Sequence, residues 1–324
     1  MKKKPILCVG GALIDILLNE EDDFLKQTIG SKGGMHLVEP EIIKKYLSIS
    51  QSVSATAPGG SACNTAVGIG RLGGDARFVG KSGVGKNGLF FENQLKNSAV
   101  SPYLIKSASP TGRVLSIITP DAERTMFTYL GASATITPEE IEDRFFKDIY
   151  LVHIEGYLLF NPDIMAAVLK KAKKFKAFIS LDLASYTVVE ESKNLLRDIV
   201  EEYVDILIAN EEEAKAYTGF SDENKAITAL ANKAKIAILK VGEKGSYIAN
   251  NNEIIRIAPA SGKVKASDTT GAGDLWASGF LFGLTNGFGL KKSGELGSLC
   301  GYEVCKVIGA HVPEDRWEYI RSGL

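Results

Sequence analysis

The chain has 324 residues, 45% of them hydrophobic, and its 38 Lys and Arg nearly balance 39 Asp and Glu, for a formal net charge of −1. That length supports a substantial core, and the ordinary apolar content excludes a disordered or fibrous chain. The charge balance gives no basic field for nucleic acid or an anionic membrane, so a small-molecule partner is expected. Cys8, Cys63, Cys300 and Cys305 form neither C-x-x-C nor a zinc-type cluster, which suits a reducing cytoplasm.

The start, "MKKKPILCVGGALIDILL", puts lysines ahead of an apolar run, as a secretory leader does. Asp15 interrupts that run and no A-x-A-like cleavage site follows, so Ile6 to Gly10 reads as a first buried strand. No other segment approaches the roughly 20 apolar residues of a membrane span. Asp15 follows the strand directly, where α/β proteins place ligands, and is a candidate for holding paired hydroxyls; an exposed turn is the alternative. Residues 15 to 54 then leave the α/β pattern as short strands such as "GGMHLVE". In "PGGSACNTA", Pro58 to Ala66, Gly59 and Gly60 let the backbone approach a ligand and Asn64 both donates and accepts. A plain turn with a helix starting at Ser61 reads equally well.

Three glycine patterns follow, and none is a convincing nucleotide site. Gly68 to Gly73 spells G-x-G-x-x-G with no strand before it, which suits close helix packing. Gly80 to Lys86 is one residue short of a P-loop, because Asn87 stands where a Ser or Thr hydroxyl would ligate magnesium. Gly83 to Gly88 gives G-x-G-x-x-G after the extended "ARFVG", yet no acid follows at the spacing of about 20 residues that a dinucleotide ribose requires. Residues 103 to 131 form a second β-rich excursion, with "GRVLSIITP" and "RTMFTYLG". From about Thr137 the apolar runs "IYLVHIEG", "FISLDL", "VDILIAN" and "IAILKVG" alternate with helix-like stretches, which predicts a parallel sheet covered on both faces. The two excursions together suggest one small β layer beside that body.

In "ANEEEAKAYTG", Asn210 closes a strand and Glu213 comes three residues later on a starting helix. A capped acidic helix end accounts for the pair, and so does a group orienting magnesium-bound water. The most informative stretch is "ASDTTGAGDLWASGFLFGL", Ala266 to Leu284. Its small-residue turn opens an apolar helix, and the free amides and positive dipole end of such a helix suit a phosphate. Asp274 at the same spot would repel a phosphate, so its natural role is a base for a hydroxyl attacking phosphorus. Helix capping is the alternative.

Taken in order, these stretches resemble the ribokinase-like, or PfkB, family of sugar and nucleoside kinases over nearly the whole chain. "DTTGAGD" before an apolar helix is the most specific element, and "GGSACNTAVGIGRLGGDARFVGKSGVGKNG" has the shape of the family's N-terminal motif, although Gly85 replaces its usual Asp. "GGSACN", "KGGMHLV" and "HIEGYLLFNPD" are more similar to bacterial adenosine-kinase-like members. The resemblance implies a doubly wound, mostly parallel α/β domain (1–14, 55–102 and 132–324) flanked by helices, with a small β-sheet lid (15–54 and 103–131).

The same resemblance makes Asp274 the catalytic base, Gly271, Ala272 and Gly273 the anion hole, and Arg124 a lid arginine near the transferring phosphate. Asn210 and Glu213 match the motif for phosphate and magnesium, Glu213 acting through water. Asp15, Gly59, Gly60 and Asn64 fall where acceptor hydroxyls are gripped. Lys240, Gly242, Gly245 and Thr269 fall on the ATP side. Leu13, Met35, Met126, Leu130 and Tyr157 are candidate walls of the acceptor pocket, apolar or aromatic enough to enclose a purine. The expected substrates are ATP with Mg2+ and a nucleoside, adenosine first. Ribose, fructose or a related sugar is the alternative, and a monovalent cation such as K+ is left open. A cytoplasmic monomer or homodimer is expected. A metabolite sensor on the same fold and a dehydrogenase built on Gly83 to Gly88 are the rival classes.

Overall fold

The computed structural model describes residues 4–52, 55–121, 123–250, 253–260 and 268–324. Ser54 at the first excursion's end, and Ala266 and Ser267 at the start of the phosphate-turn stretch, lie outside the described residues. In chain order the strands are β1 (Ile6–Val9), β2 (Leu13–Asn19), β3 (Met35–Leu37), β4 (Ala55–Gly59), β5 (Ala76–Gly83), β6 (Val100–Ser107) and β7 (Thr111–Ile118). They continue as β8 (Arg124–Gly131), β9 (Leu151–Glu155), β10 (Phe178–Asp182), β11 (Ile206–Asn210), β12 (Ile236–Lys240), β13 (Ser246–Asn250) and β14 (Glu253–Ile257).

Nine strands form one sheet in the order β14-β13-β12-β11-β10-β9-β1-β5-β6, parallel from β6 to β12 and antiparallel at its β13 and β14 end. β1 is buried at all four residues, as a strand covered on both faces must be. One face packs on Val168, Leu196 and Ile227 of the helices between strands. The other packs on the helices Ser61–Arg71 and Ala272–Thr285, through Cys63, Ala66, Trp276 and Phe280. Each large aliphatic side chain so buried contributes about 1.5–3 kcal/mol. The layering is α/β, a mostly parallel sheet with helices on both faces, and no helix among the described residues is long and apolar enough to cross a membrane.

The other five strands form a smaller sheet in the order β3-β8-β7-β2-β4. Ile14, Ile16, Leu18, Leu115, Ile117 and Phe127 alternate onto one face and bury Ile43 and Tyr46 of the helix Pro40–Ile49, with the Tyr46 and Phe127 rings edge to face at 4.9 Å. Asp15, Leu17, Val114 and Met126 fall on the opposite face. The expected boundaries shift in two places. β6 pairs with β5 in the large sheet, so the second excursion's sheet residues begin at Thr111 rather than Tyr103. β4 pairs with β2, so residues 55–59 belong to the smaller sheet. Strand-like composition alone does not say which sheet a strand joins.

Two of the glycine patterns are packing devices. A Cβ on Gly68 would meet Ser278 Oγ at 2.3 Å, where the helices Ser61–Arg71 and Ala272–Thr285 press together. A Cβ on Gly88 would lie 1.8 Å from the Gly83 carbonyl oxygen, so the helix Lys86–Asn97 sits tight on the end of β5.

Candidate active site

Four central strands each end in a polar residue: Glu155 on β9, Asp182 on β10, Asn210 on β11 and Lys240 on β12. Register sets Glu155 opposite Asp182 and Asn210 opposite Lys240. Buried strands that turn polar at their last residue deliver those groups to the crevice above the sheet, where open α/β folds bind ligands.

Glu155 is buried and accepts hydrogen bonds from the Gly11 amide at 2.8 Å and the Ala62 amide at 2.9 Å, tying the turn after β1 to the first turn of the helix Ser61–Arg71. Burial pushes its pKa up to about 7 against the pull of those two amides. Asp182 accepts from the Ala184 amide at 3.0 Å and from Lys240 Nζ at 2.9 Å. Asn210 and Glu213 form a full capping box: Glu213 takes the Asn210 amide and side-chain Nδ2, both at 2.8 Å, and returns its own amide to Asn210 Oδ1 at 2.9 Å. The Glu213 carboxyl is buried and pushed up to about 7, by burial first and then by Asp182.

The glycine turn at Gly271 opens the helix Ala272–Thr285. Gly271 has φ +74°, and a Cβ there would meet Ala310 Cβ at 2.6 Å, so both backbone and space call for glycine. Asp268 braces the turn by accepting from the Thr270 amide and hydroxyl (2.9 and 2.7 Å) and from the Gly309 amide (2.8 Å). Arg124, at the start of β8, donates to the Thr270 hydroxyl. Thr269 is exposed beside it, and Gly242 and Gly245 shape the turn between β12 and β13. Asp274 stands in the first helical turn. Its Oδ1 accepts from Ser61 Oγ at 2.7 Å, and its Oδ2 from Asn64 Nδ2 at 2.9 Å. Desolvation raises the Asp274 pKa, and the Asn64 and Ser61 bonds oppose the shift.

Asp15 faces this turn from β2. Burial, opposed by Arg124 and assisted by Asp274, pushes it up to about 6. Gly59 lies against it: a Cβ there would sit 2.2 Å from Asp15 Oδ1. Gly60 caps the helix Ser61–Arg71 at φ +101°, with the Gly11 carbonyl oxygen 2.3 Å from its missing Cβ. Tyr157, in the 3-10 turn after β9, is pushed up to about 12 by burial and by the charges of Asp274 and Glu155, which marks it as their neighbour. Leu13, Met126 and Leu130 share the Asp15 face of the smaller sheet, and Met35 joins them opposite Met126.

A family model described as pfkB family carbohydrate kinase matches residues 28–317. The chain belongs to the PfkB carbohydrate kinase family. Adenosine kinase from Sinorhizobium meliloti is 31% identical, with 100% of both chains covered and a TM-score of 0.89. A probable sugar kinase from Rhizobium etli is 30% identical over 100% of this chain and 99% of the other, with a TM-score of 0.91. The 5-dehydro-2-deoxygluconokinase of Bacillus licheniformis is 26% identical over 92% of this chain and 88% of its own length.

PfkB kinases are phosphotransferases acting on sugar or nucleoside hydroxyls, and the family generally uses ATP and Mg2+. Membership of that family sets the chain among kinases rather than dehydrogenases. Hydrogen bonds and electrostatic contacts join Asp15, Asn64, Arg124, Tyr157, Lys240 and Asp274 around the glycine turn, with Gly59 against Asp15 and Glu213 beside Lys240. Asn64, expected on the acceptor side, also bonds to Asp274. Ser61, Glu155, Asp182, Asp268 and Thr270 are further site residues that the motifs alone do not single out. For Glu155 and Asp182 a signal is present: "LVHIE" and "FISLD" are apolar strands ending in a polar residue, as "ILIAN" ends in Asn210.

Proposed function

We propose that this kinase transfers the γ-phosphate of ATP to the primary hydroxyl of a nucleoside, with adenosine the favoured acceptor. The observation that carries the acceptor class is the Asp15 face of the smaller sheet, where Met35 and Leu130 are 41% and 38% exposed and Leu13 and Met126 half-buried. An apolar surface next to a carboxylate suits a ribose whose hydroxyls meet Asp15 and a purine that covers the methionines and leucines. The likeness to adenosine kinase supports the same choice.

In this reading Asp274 takes the proton as the acceptor oxygen bonds to the γ-phosphorus, and the bond to the bridging oxygen breaks to release ADP. The amides of Gly271, Ala272 and Gly273 and the side chain of Arg124 meet the transferring phosphate. Magnesium, when bound, supplies charge neutralisation at the phosphates. It usually keeps several waters, and Glu213 would orient one of them. Lys240, Gly242, Gly245, Thr269 and Asn210 line the nucleotide side. The smaller sheet acts as a lid that closes over the acceptor and limits hydrolysis by water. Hydrogen exchange checks the lid: β3 and β8 gain protection with acceptor plus an inert ATP analogue, and unchanged exchange refutes closure.

The test is an acceptor screen with ATP and Mg2+, with and without K+, comparing adenosine, other nucleosides, ribose, fructose and 5-dehydro-2-deoxygluconate. A nucleoside is expected to give the highest kcat/KM. A free sugar is the second reading, favoured by the likeness to 5-dehydro-2-deoxygluconokinase, and a sugar well ahead of every nucleoside selects it.

A further inference from the structure

Lys240 is a cation withdrawn from water in the middle of this crevice. Its side chain is 14% exposed, and its ammonium is paired at 2.9 Å with Asp182, whose side chain is 6% exposed. A Cβ built on Gly273 would lie 2.9 Å from Lys240 Nζ, so the ammonium rests against the helical turn that carries Asp274. Burial works against the charge, but the carboxylates of Asp182 and Glu213 outweigh it and hold Lys240 above its ordinary pKa. An ammonium has three donors, and the Asp182 bond uses one. Arg124 approaches the same turn through Thr270, so two cations from different sheets flank it.

We propose that Lys240 is a catalytic residue that binds the terminal phosphate of the nucleotide, and that Asp182 is the positioning residue that keeps its ammonium aimed at Gly273. The inference rests on the kinase reading and adds a specific contact to it. The terminal phosphate must lie beside Asp274, since the attacking hydroxyl has to reach both, and Lys240 is the cation packed on that turn from the floor. Asp182, Glu213 and Asp274 bring three carboxyls close to the turn, and their ionised forms repel a nucleotide's phosphates. A buried cation next to the γ position offsets that repulsion where the transferred charge sits, and no proton leaves Lys240 during transfer. Asp182 retains one ammonium donor while the phosphate takes another.

The consequence is a preference for a nucleotide with its terminal phosphate in place. The probes are the Mg2+ complexes of the β,γ-imido analogue of ATP and of ADP, bound at equilibrium to the parent, Lys240→Met, Lys240→Arg and the double variant Lys240→Met with Asp182→Asn. In Lys240→Met the preference for the triphosphate analogue over ADP is expected to fall about tenfold to a hundredfold, the weight of one charge-assisted hydrogen bond, with ADP affinity nearly unchanged. Lys240→Arg retains most of the preference. The double variant leaves no unpaired acid to disturb folding and is expected to lack the preference as well. An unchanged preference in Lys240→Met overturns the inference. So does its return in the double variant, because Lys240 would then only neutralise Asp182. Phosphotransfer by the parent is measured separately: failure with every acceptor removes the kinase reading, while the binding ratios still decide the Lys240 contact.

Discussion

Asn64 Nδ2 donates to Asp274 Oδ2 at 2.9 Å, across 210 positions of sequence, and joins the acceptor-side motif to the phosphate-side motif. With Ser61 on Oδ1, both oxygens of the proposed base are held by the first turn of one helix, Ser61–Arg71. An acceptor hydroxyl reaching Asp274 therefore meets an oriented carboxylate. Asp274→Asn keeps the shape and loses the base, so turnover is expected to fall about 10²–10⁴-fold with nucleotide affinity retained. Steady-state kinetics with equilibrium ATP binding checks this, and activity within about tenfold of the parent excludes the assignment. Since desolvation raises the Asp274 pKa, the acid limb of kcat/KM should lie above the ordinary Asp range.

The buried carboxyls also set the sign of the stability profile. Glu155 and Glu213 stand at about 7 and Asp15 at about 6, each above its ordinary value because of burial. Between roughly pH 4.5 and 7 the folded chain holds protons that the unfolded chain has released, so stability falls as pH rises through that window. A tenfold difference in proton affinity between the folded and unfolded chain corresponds to roughly 1.4 kcal/mol. The ligand-free protein is expected to melt higher at pH 6 than at pH 8, with Glu155→Gln flattening part of the difference. A calorimetric melting temperature that rises over this interval contradicts the burial argument.

Glu155 should be structural as well as electrostatic. Truncation to Ala leaves the Gly11 and Ala62 amides without their acceptor, at about 1–3 kcal/mol for a buried unsatisfied group. Denaturant unfolding of Glu155→Ala should show that loss, and Glu155→Gln, which keeps one acceptor oxygen, should recover about half of it.

Much of the fold is readable from residue order. "PILCVG", "IYLVHIEG", "FISLDL", "VDILIAN" and "IAILKVG" contain β1, β9, β10, β11 and β12, and "ARFVG" opens β5, which runs on to Gly83, because buried parallel strands leave apolar runs. The sequence puts most of β6 in the wrong layer, because Pro102 and its mixed burial give it the look of an exposed strand, as suits an edge position. Asp274 stands out because a carboxylate at a turn suited to phosphate is electrostatically odd. Glu155 and Asp182 leave a fainter signal, an acid closing an apolar run, and only register sets the two side by side. The spacing of Asn210 to Glu213 announces a capping box, and the box is present.

Gly59 provides a test of the acceptor side that leaves the nucleotide side untouched. It ends β4, directly opposite Leu13 on β2, and a Cβ there would come within 2.2 Å of Asp15 Oδ1 and 2.5 Å of Oδ2. Since the atom in the way is a side-chain carboxylate, the backbone tolerates the change and Asp15 must turn aside. Gly59→Ala should therefore fold with nearly the parent's stability and bind nucleotide normally. If Asp15 grips the acceptor's hydroxyls, the acceptor KM should rise by about tenfold or more, the weight of a hydrogen bond to a charged group. Gly60→Ala is the contrasting variant, because φ +101° and the Gly11 carbonyl at 2.3 Å strain the backbone itself, so it should lose stability as well. Acceptor KM and melting temperature measured on both variants separate the two effects. An unchanged acceptor KM in a folded Gly59→Ala removes Asp15 from the acceptor site.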